Sequence, residues 1–205
     1  MLRRTTGSTS TTSGRRPLRS HAFTLAALLL WTLPAAAAEW PPLVALGPGQ
    51  ALELTFQEER HVAFLTEPLR LEGTLRAESS GRLVRTVLQP AAERMVVEQQ
   101  QVVIERPPGT AVATANLRAN PAIEGLVTAM RALVANDRAA LERSFTPTFA
   151  ETATGWTLTL VPTSAQLRRS VEQIAVVGTG ARVTGVEIAE TNGDHSRIAL
   201  QTRTP

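Results

Sequence analysis

Apolar and polar residues alternate along the chain between residues 52 and 88. The apolar positions recur at every second residue in Leu52–Phe56 and in Leu69–Leu75, and a third apolar segment covers Arg82–Leu88. Side chains two residues apart lie on the same face of a β-strand. The pattern therefore predicts three consecutive strands with one apolar and one charged face, and the apolar face must be covered by another part of the chain.

A period of two continues over most of the remaining sequence. Glycine, proline and asparagine separate the segments, which is typical of antiparallel hairpins. Residues 40–49 are rich in proline and glycine and are expected to form at most one helical turn, at Leu43–Leu46. Strands are predicted at residues 50–60, 68–77, 82–88, 92–98, 101–106, 145–151, 156–160, 172–177, 182–190 and 195–201, and a less regular pattern at 110–117 indicates one more.

The pattern changes to helical spacing after Asn120, a suitable N-cap that is followed by proline at the first helical position. Asn136-Asp137 is predicted to end this helix and to cap a second one at Arg138–Arg143, and Ser164–Ser170 is expected to form a short turn. A sheet of about ten strands curls. The predicted fold is α+β and mainly β: an open, strongly curved antiparallel half-barrel with the helices of residues 121–143 as a lid on its concave side.

The charge of the chain is concentrated at its N-terminus. The sequence holds 21 basic residues, all of them arginine, and 18 acidic residues. Five of the arginines and no acid lie in residues 1–38, so the rest of the chain carries a net charge of about −2. A domain of this charge has no general attraction to nucleic acid. The absence of cysteine from the sequence excludes disulfides and a cysteine nucleophile.

Residues 1–38 have the pattern of a signal peptide. An arginine-rich segment precedes the apolar run Phe23–Leu33, and a run of alanines follows. The apolar run is shorter than the roughly 20 residues that a membrane-spanning helix needs. We expect cleavage after Ala38, which leaves one exported domain at residues 39–205 in the periplasm. Arg15-Arg16 leaves the choice between general and twin-arginine export open.

Few side chains suited to catalysis remain in the exported domain. His61 and His195 are its histidines, and the run Asp194-His195-Ser196 could suggest a hydrolase. Residues adjacent in sequence do not form a catalytic relay, and the sequence has no G-x-S-x-G nucleophile motif. We therefore interpret this run as a polar hairpin turn. The acidic residues near His61 lack the spacing of a metal site, so neither a metal nor a cofactor is expected.

The predicted sheet and lid present apolar surfaces that either mesh as an ordinary core or enclose a cavity. Periodicity does not distinguish a filled interior from a hollow one. The loop His61–Leu65 places three large apolar residues between polar strand ends, and exposed apolar patches can mark binding sites. A hollow interior is the functional hypothesis, and a solid core is its alternative.

Several residues in these predicted strands and loops form an ordered set of short motifs. They are Phe56, Gln57 and Arg60, then Leu65, Pro68 and Leu69, then Gly73 and Leu75, then Pro90, and finally Trp156, Leu158, Leu160 and Pro162. In order and spacing the set resembles the periplasmic outer-membrane lipoprotein carriers of the LolA family, over roughly residues 43–200. The resemblance implies an open β-barrel with a helical lid, no enzyme activity, and partners in an inner-membrane exporter and an outer-membrane acceptor.

On this resemblance we expect a monomer that binds acyl chains of a lipoprotein, a glycolipid or another envelope lipid and carries them toward the outer membrane. The cavity is expected to be lined on the sheet by Leu54, Phe56, Leu69, Leu71, Leu75, Val87, Met95 and Val97. The lid is expected to contribute Ile123, Leu126, Val127, Met130 and Leu133, and the mouth Phe64 and Leu65.

The sequence also departs from the family pattern. Ser79-Ser80 occupies the place of an Arg-Pro pair whose arginine hydrogen-bonds the lid in the carriers, and Arg85 stands where an aromatic residue is usual. The N-terminal helix of the carriers is reduced to residues 40–49. These differences indicate a divergent paralogue. The alternative function is a lipid-sensing or envelope-stress binding module of a regulatory system.

Overall fold

The computed structural model describes residues 40–106 and 109–202. The signal peptide predicted at residues 1–38 lies outside the described residues. The described strands are β1 (Ala51–His61), β2 (Leu69–Glu78), β3 (Leu83–Gln89), β4 (Glu93–Glu98), β5 (Gln101–Glu105), β6 (Ala111–Asn116), β7 (Phe145–Thr152), β8 (Gly155–Pro162), β9 (Val171–Thr179), β10 (Arg182–Glu190) and β11 (His195–Thr202). The helices are α1 (Pro121–Val134), α2 (Arg138–Glu142) and α3 (Ala165–Arg168), and Leu117–Ala119 forms a 3₁₀ turn.

All eleven described strands join one antiparallel sheet in the order β6-β5-β4-β3-β2-β1-β11-β10-β9-β8-β7. Neighbours in the sheet are neighbours in the chain, except that the first strand pairs with the last. In that pairing Phe56 lies opposite Leu200, and His61 lies opposite His195. A sheet of this size twists and curls. The predicted mainly-β fold, an open and curved antiparallel sheet with few helices, is confirmed.

The helical segment connects the two edges of the sheet. It follows the edge strand β6 and precedes the opposite edge strand β7, and α1 packs against apolar residues of the sheet. The side chain of Asn120 accepts a hydrogen bond from Ile123 N and caps α1. Asp137 caps α2 in the same way through Ala140 N. Both predicted caps are confirmed, and they set where the lid begins and where it turns.

Two clusters of buried side chains fill the flanks of the sheet. The flank formed by β7, β8 and β9 contains Leu141, Phe145, Leu158, Leu160, Val171 and Ile174, none of them more than 1% exposed. The flank formed by β2 to β5 contains Ala77, Leu83, Val97 and Val102. Helix α1 joins both clusters, through Ala129 and Ala132 on one side and Val127 on the other.

A third cluster lies at the centre of the sheet, where Leu54, Phe56, Val87 and Leu200 are buried together. Among the residues that the structure describes, none of α1 belongs to this central cluster. The centre is therefore covered differently from the flanks, and this difference positions the site described below.

The segment that precedes β1 is not helical, within the expectation of at most one helical turn at Leu43–Leu46. It is held instead by Asn136, whose side chain accepts a hydrogen bond from Trp40 Nε1 at 3.0 Å and donates one to Leu43 O at 2.8 Å. Trp40 and Leu43 also pack on the β7–β9 flank. The less regular pattern at residues 110–117 contains strand β6, whose six residues are all exposed.

Candidate functional site

An apolar cavity of about 120 Å³ lies between the middle of α1 and the centre of the sheet. The lid contributes Leu126, Met130 and Leu133, which are spaced by four and three residues and therefore share one helix face. Among the described residues of the lining, Arg85 is the one that carries a charge, and all the others are apolar. The rest of the lining is Val134 and the sheet residues Leu52, Leu54, Phe56, Leu75, Ala77, Val176, Val183, Val186, Ile198 and Leu200.

The structure brings six of the predicted cavity and lid residues to this lining: Leu54, Phe56, Leu75, Leu126, Met130 and Leu133. It places the other seven outside the lining. Leu71 and Val87 pack in the central cluster beside it, and Leu69 is 44% exposed at the start of β2. The remaining four belong to the β2–β5 flank, where they pack against one another: Met95, Val97, Ile123 and Val127.

Sequence analysis missed the part of the lining contributed by β10 and β11. Val186 lies in register with Ile198 on these strands, and Leu200 lies in register with Phe56 of β1. The alternation of β10 and β11 is visible in the sequence. Their position beside β1 follows only from the pairing of the first strand with the last, which no local pattern encodes.

A partly buried ion pair stands at the edge of the cavity. Arg85 Nη2 donates a hydrogen bond to Glu58 Oε2 at 2.6 Å, and Glu58 is only 8% exposed. The Arg85 guanidinium also lies over the ring of Phe56, with its central carbon 4.6 Å from the ring centroid. Glu58 lies on the same face of β1 as Leu54 and Phe56, and the identity of its partner two strands away could not be read from the sequence.

Helix α1 is tethered to the sheet by its own Arg131. The Arg131 side chain donates to Gly81 O at 2.7 Å and to Gln99 O at 2.9 Å, and so it joins α1 to the β2–β3 and β4–β5 turns. Partial burial lowers the pKa of the Arg131 guanidinium from its ordinary value. The sequence departure noted at Ser79-Ser80 lies in the same β2–β3 turn, where Ser79 Oγ accepts from Gly49 N at 3.0 Å. The hydrogen bond that joins the lid to this turn is thus donated by a residue of the lid, Arg131.

Gly125 allows α1 to lie close to α3. A Cβ atom at this position would lie 2.6 Å from Leu167 Cδ1, which is closer than real Cβ contacts. At its other end, the lid is joined to the segment before β1, because Leu46 N donates to Val134 O at 3.1 Å. Both ends of α1 therefore contact structure outside the cavity.

The loop that was predicted to form the cavity mouth connects β1 to β2. Phe64 is 85% exposed and Leu65 is 41% exposed, and neither lies in the cavity lining. The loop is held by the buried side chain of Asp194, whose Oδ1 accepts a hydrogen bond from Ala63 N at 2.8 Å. Its role as a mouth stays a prediction.

The arrangement of Asp194, His195 and Ser196 does not form a hydrolase site. The carboxylate of Asp194 is bonded to the backbone of Ala63, and the ring of His195 stacks on His61 with centroids 4.4 Å apart. Ser196 is buried, and adjacent residues of a strand point to opposite faces.

Within residues 40–106 and 109–202, no group of three His, Asp or Glu side chains could hold a metal ion. In the same described ranges no helix combines the length and the apolar content that crossing a bilayer requires.

A curved antiparallel sheet that encloses an apolar cavity under a helix crossing between its two edges defines a lidded half-barrel. The chain belongs to the family of outer membrane lipoprotein carrier protein LolA-like proteins, whose pattern matches residues 37–204. The family resemblance inferred from the sequence is thereby confirmed. No curated protein matches the sequence.

Solved structures that match this chain have low sequence identity to it. A LolA superfamily protein from Nitrosomonas europaea is 8% identical, with a TM-score of 0.41, and the match covers 78% of this chain and 89% of that one. The MucA/MucB complex of Pseudomonas aeruginosa gives 14% identity and a TM-score of 0.40 over 75% of this chain and 51% of the matched chain. LprF from Mycobacterium bovis gives 12% identity and a TM-score of 0.34 over 75% of this chain and 84% of that one.

Proposed function

We propose that this protein is a carrier that binds the acyl chains of a lipoprotein or of another envelope lipid between α1 and the centre of the sheet. The observation that supports the proposal is the apolar cavity, in which three leucine and methionine side chains of one helix face oppose the apolar face of β1, β10 and β11. The family is named for lipoprotein carriers. The proposed carrier domain is residues 39–205, exported to the periplasm after removal of residues 1–38 and acting as a monomer.

The cargo sets how apolar the site must be. Each buried CH₂ group contributes about 0.8 kcal/mol. An acyl chain of roughly 16 carbons therefore gains on the order of 13 kcal/mol when it leaves water. A site that takes such a chain out of a bilayer must offer an almost wholly apolar surface in return, and the lining described above meets this requirement. In the proposed cycle an inner-membrane exporter supplies the chain and an outer-membrane acceptor receives it.

With α1 in its present position, the cavity is too small for such a ligand. Its volume of about 120 Å³ is below the roughly 300–1,000 Å³ of typical ligand sites. Binding therefore requires α1 to move away from the sheet, so that the acyl chain takes the place of Leu126, Met130 and Leu133. These three side chains are only half-buried, unlike the fully buried residues of the flanks, so less packing is lost when they move.

Native mass spectrometry of protein purified from the periplasm of a Gram-negative host tests the proposal. We expect the wild-type protein to retain acyl species and Leu126→Glu to lose them, because a carboxylate in the lining opposes an acyl chain. Thr128→Glu is the matched control: it places the same charge on the same helix, in a cleft shared with Arg143 outside the apolar cavity, and should keep its cargo. The absence of acyl species from the wild type, or equal loading of Leu126→Glu, would overturn the proposal.

A further inference from the structure

The ion pair of Arg85 and Glu58 stands at the edge of the apolar cavity. Arg85 belongs to the cavity lining, and Glu58 lies on the same face of β1 as Leu54 and Phe56. An acyl chain held by the apolar part of the lining can place its polar end against this charged group. The following inference rests on the proposed function and names the chemistry of that polar end.

The position of Arg85 is fixed by its neighbours. Its guanidinium stacks on Phe56 and is bonded to Glu58. Gly73 lies opposite Phe56 on β2, and a Cβ there would come within 2.9 Å of Phe56 Cε1 and 1.9 Å of Thr86 O. The missing side chain leaves room for the Phe56 ring, on which the guanidinium rests. The donors of Arg85 are therefore held in one orientation beside the cavity.

The charge of the pair is balanced, but its hydrogen-bonding capacity is not used up. A guanidinium has five N–H donors, and among the described residues Arg85 uses one of them, on Glu58. A neutral carbonyl oxygen can accept from the remaining donors without adding charge. An ionised carboxylate would add a second anion beside the buried Glu58, and a buried anion without its own counter-charge is costly.

We propose that the Arg85–Glu58 pair selects neutral acyl lipids that carry an ester or amide carbonyl next to the chain, and that it discriminates against ionised fatty acids. Arg85 donates to the carbonyl, and Glu58 prevents Arg85 from acting as an anion site. Ester-linked and amide-linked acyl chains share this carbonyl, whereas free fatty acids present a carboxylate.

Displacement of an uncharged fluorescent naphthylamine dye by three ligands of matched chain length tests the proposal. The ligands are methyl laurate, laurate and methyl dodecyl ether, at about pH 8, where laurate is ionised. We expect methyl laurate to bind about tenfold more tightly than either of the others. In Glu58→Gln, which leaves the charge of Arg85 unbalanced, the preference should reverse and laurate should bind more tightly than the ester. In the double variant Glu58→Gln/Arg85→Met, ester and ether should bind equally.

The outcomes separate this inference from the function on which it rests. If none of the three ligands displaces the dye from the wild-type protein, the proposed acyl-binding function fails. If all three bind with similar affinity, or laurate binds best, acyl binding stands and the selection by Arg85 and Glu58 is wrong. If the double variant does not fold, the reversal in Glu58→Gln decides, since loss of folding would not exchange the order of two ligands.

Discussion

The β7–β9 flank and the centre of the sheet are built from the same kinds of residues, yet they are packed differently. On the flank, Leu158 and Leu160 are fully buried beneath the helical segment. At the centre, Leu75 and Ile198 keep part of their surface exposed and face a cavity. Both regions alternate apolar and polar residues with the same period. Alternation thus reports which face of a strand is covered, whereas the distance of the covering helix decides whether the covered space is filled.

The difference arises from how α1 crosses the sheet. Its small residues Gly125, Ala129 and Ala132 are buried where the helix approaches its neighbours closely. The larger Leu126, Met130 and Leu133 lie on the face above the central strands. The helix lies close to its neighbours at these short side chains, and a cavity remains between its larger residues and the central strands. A solid flank can therefore support the fold while the centre stays available for a ligand.

The largest expected effect separates the two regions by stability. Leu160→Ala should lower the free energy of unfolding by about 3 kcal/mol, since it opens a cavity in a fully packed cluster. Leu75→Ala removes the same atoms from a side chain that already faces a void, and should cost about 1 kcal/mol. Urea unfolding followed by tryptophan fluorescence measures both. Equal losses would show that the centre is as tightly packed as the flank.

Adding a methylene group should have opposite effects in the two regions. Val186→Leu extends a side chain into the cavity and should stabilise the ligand-free protein by about 1 kcal/mol. Val171→Leu overfills the flank and should destabilise it by about 2 kcal/mol. Thermal unfolding of the delipidated proteins gives the sign of each change. Destabilisation by both substitutions would contradict a hollow centre.

A smaller effect concerns how the lid is held over the centre. Arg131→Ala removes the two hydrogen bonds to Gly81 O and Gln99 O and should lower the free energy of unfolding by about 1 kcal/mol. Amide hydrogen exchange should accelerate in α1 and remain unchanged in β8 and β9, because the tether acts on the lid alone. Arg131→Lys is the control for charge, since its compact ammonium cannot span both carbonyls. Unchanged exchange in α1 would show that Arg131 does not restrain the lid.

Much of the fold could be predicted because its signals are local. The alternation in β1 and β2, the caps Asn120 and Asp137, and the helical spacing in α1 each depend on residues that are close in sequence. The sequence allowed at most one helical turn at Leu43–Leu46, and none forms; what orders the segment instead, its distant contacts with Asn136, is not visible in the local pattern. Strand β6 gave only a faint signal, because an exposed edge strand has no buried face to produce alternation.

The candidate site was less predictable, because it depends on how distant segments are placed. Met95 and Val97 alternate in the same way as Leu54, but their strand lies beyond the cavity and packs in the β2–β5 flank. Ile198 and Leu200 line the cavity because β11 is inserted beside β1. The ion pair of Glu58 and Arg85 joins two strands that are not adjacent in the sheet. Each of these facts requires the strand order, which residue spacing alone does not provide.

The pairing of the first strand with the last has a consequence for truncation and for synthesis. Removing β11 would not trim an edge; it would divide the sheet at its middle, leaving β1 to β6 and β7 to β10 without a shared ladder. Because β11 (His195–Thr202) is synthesised after the ten other described strands, one side of β1 stays unpaired until β11 has been made. An unpaired strand edge beside exposed Leu54 and Phe56 invites pairing with other chains, and the pairing of β11 with β1 removes this hazard.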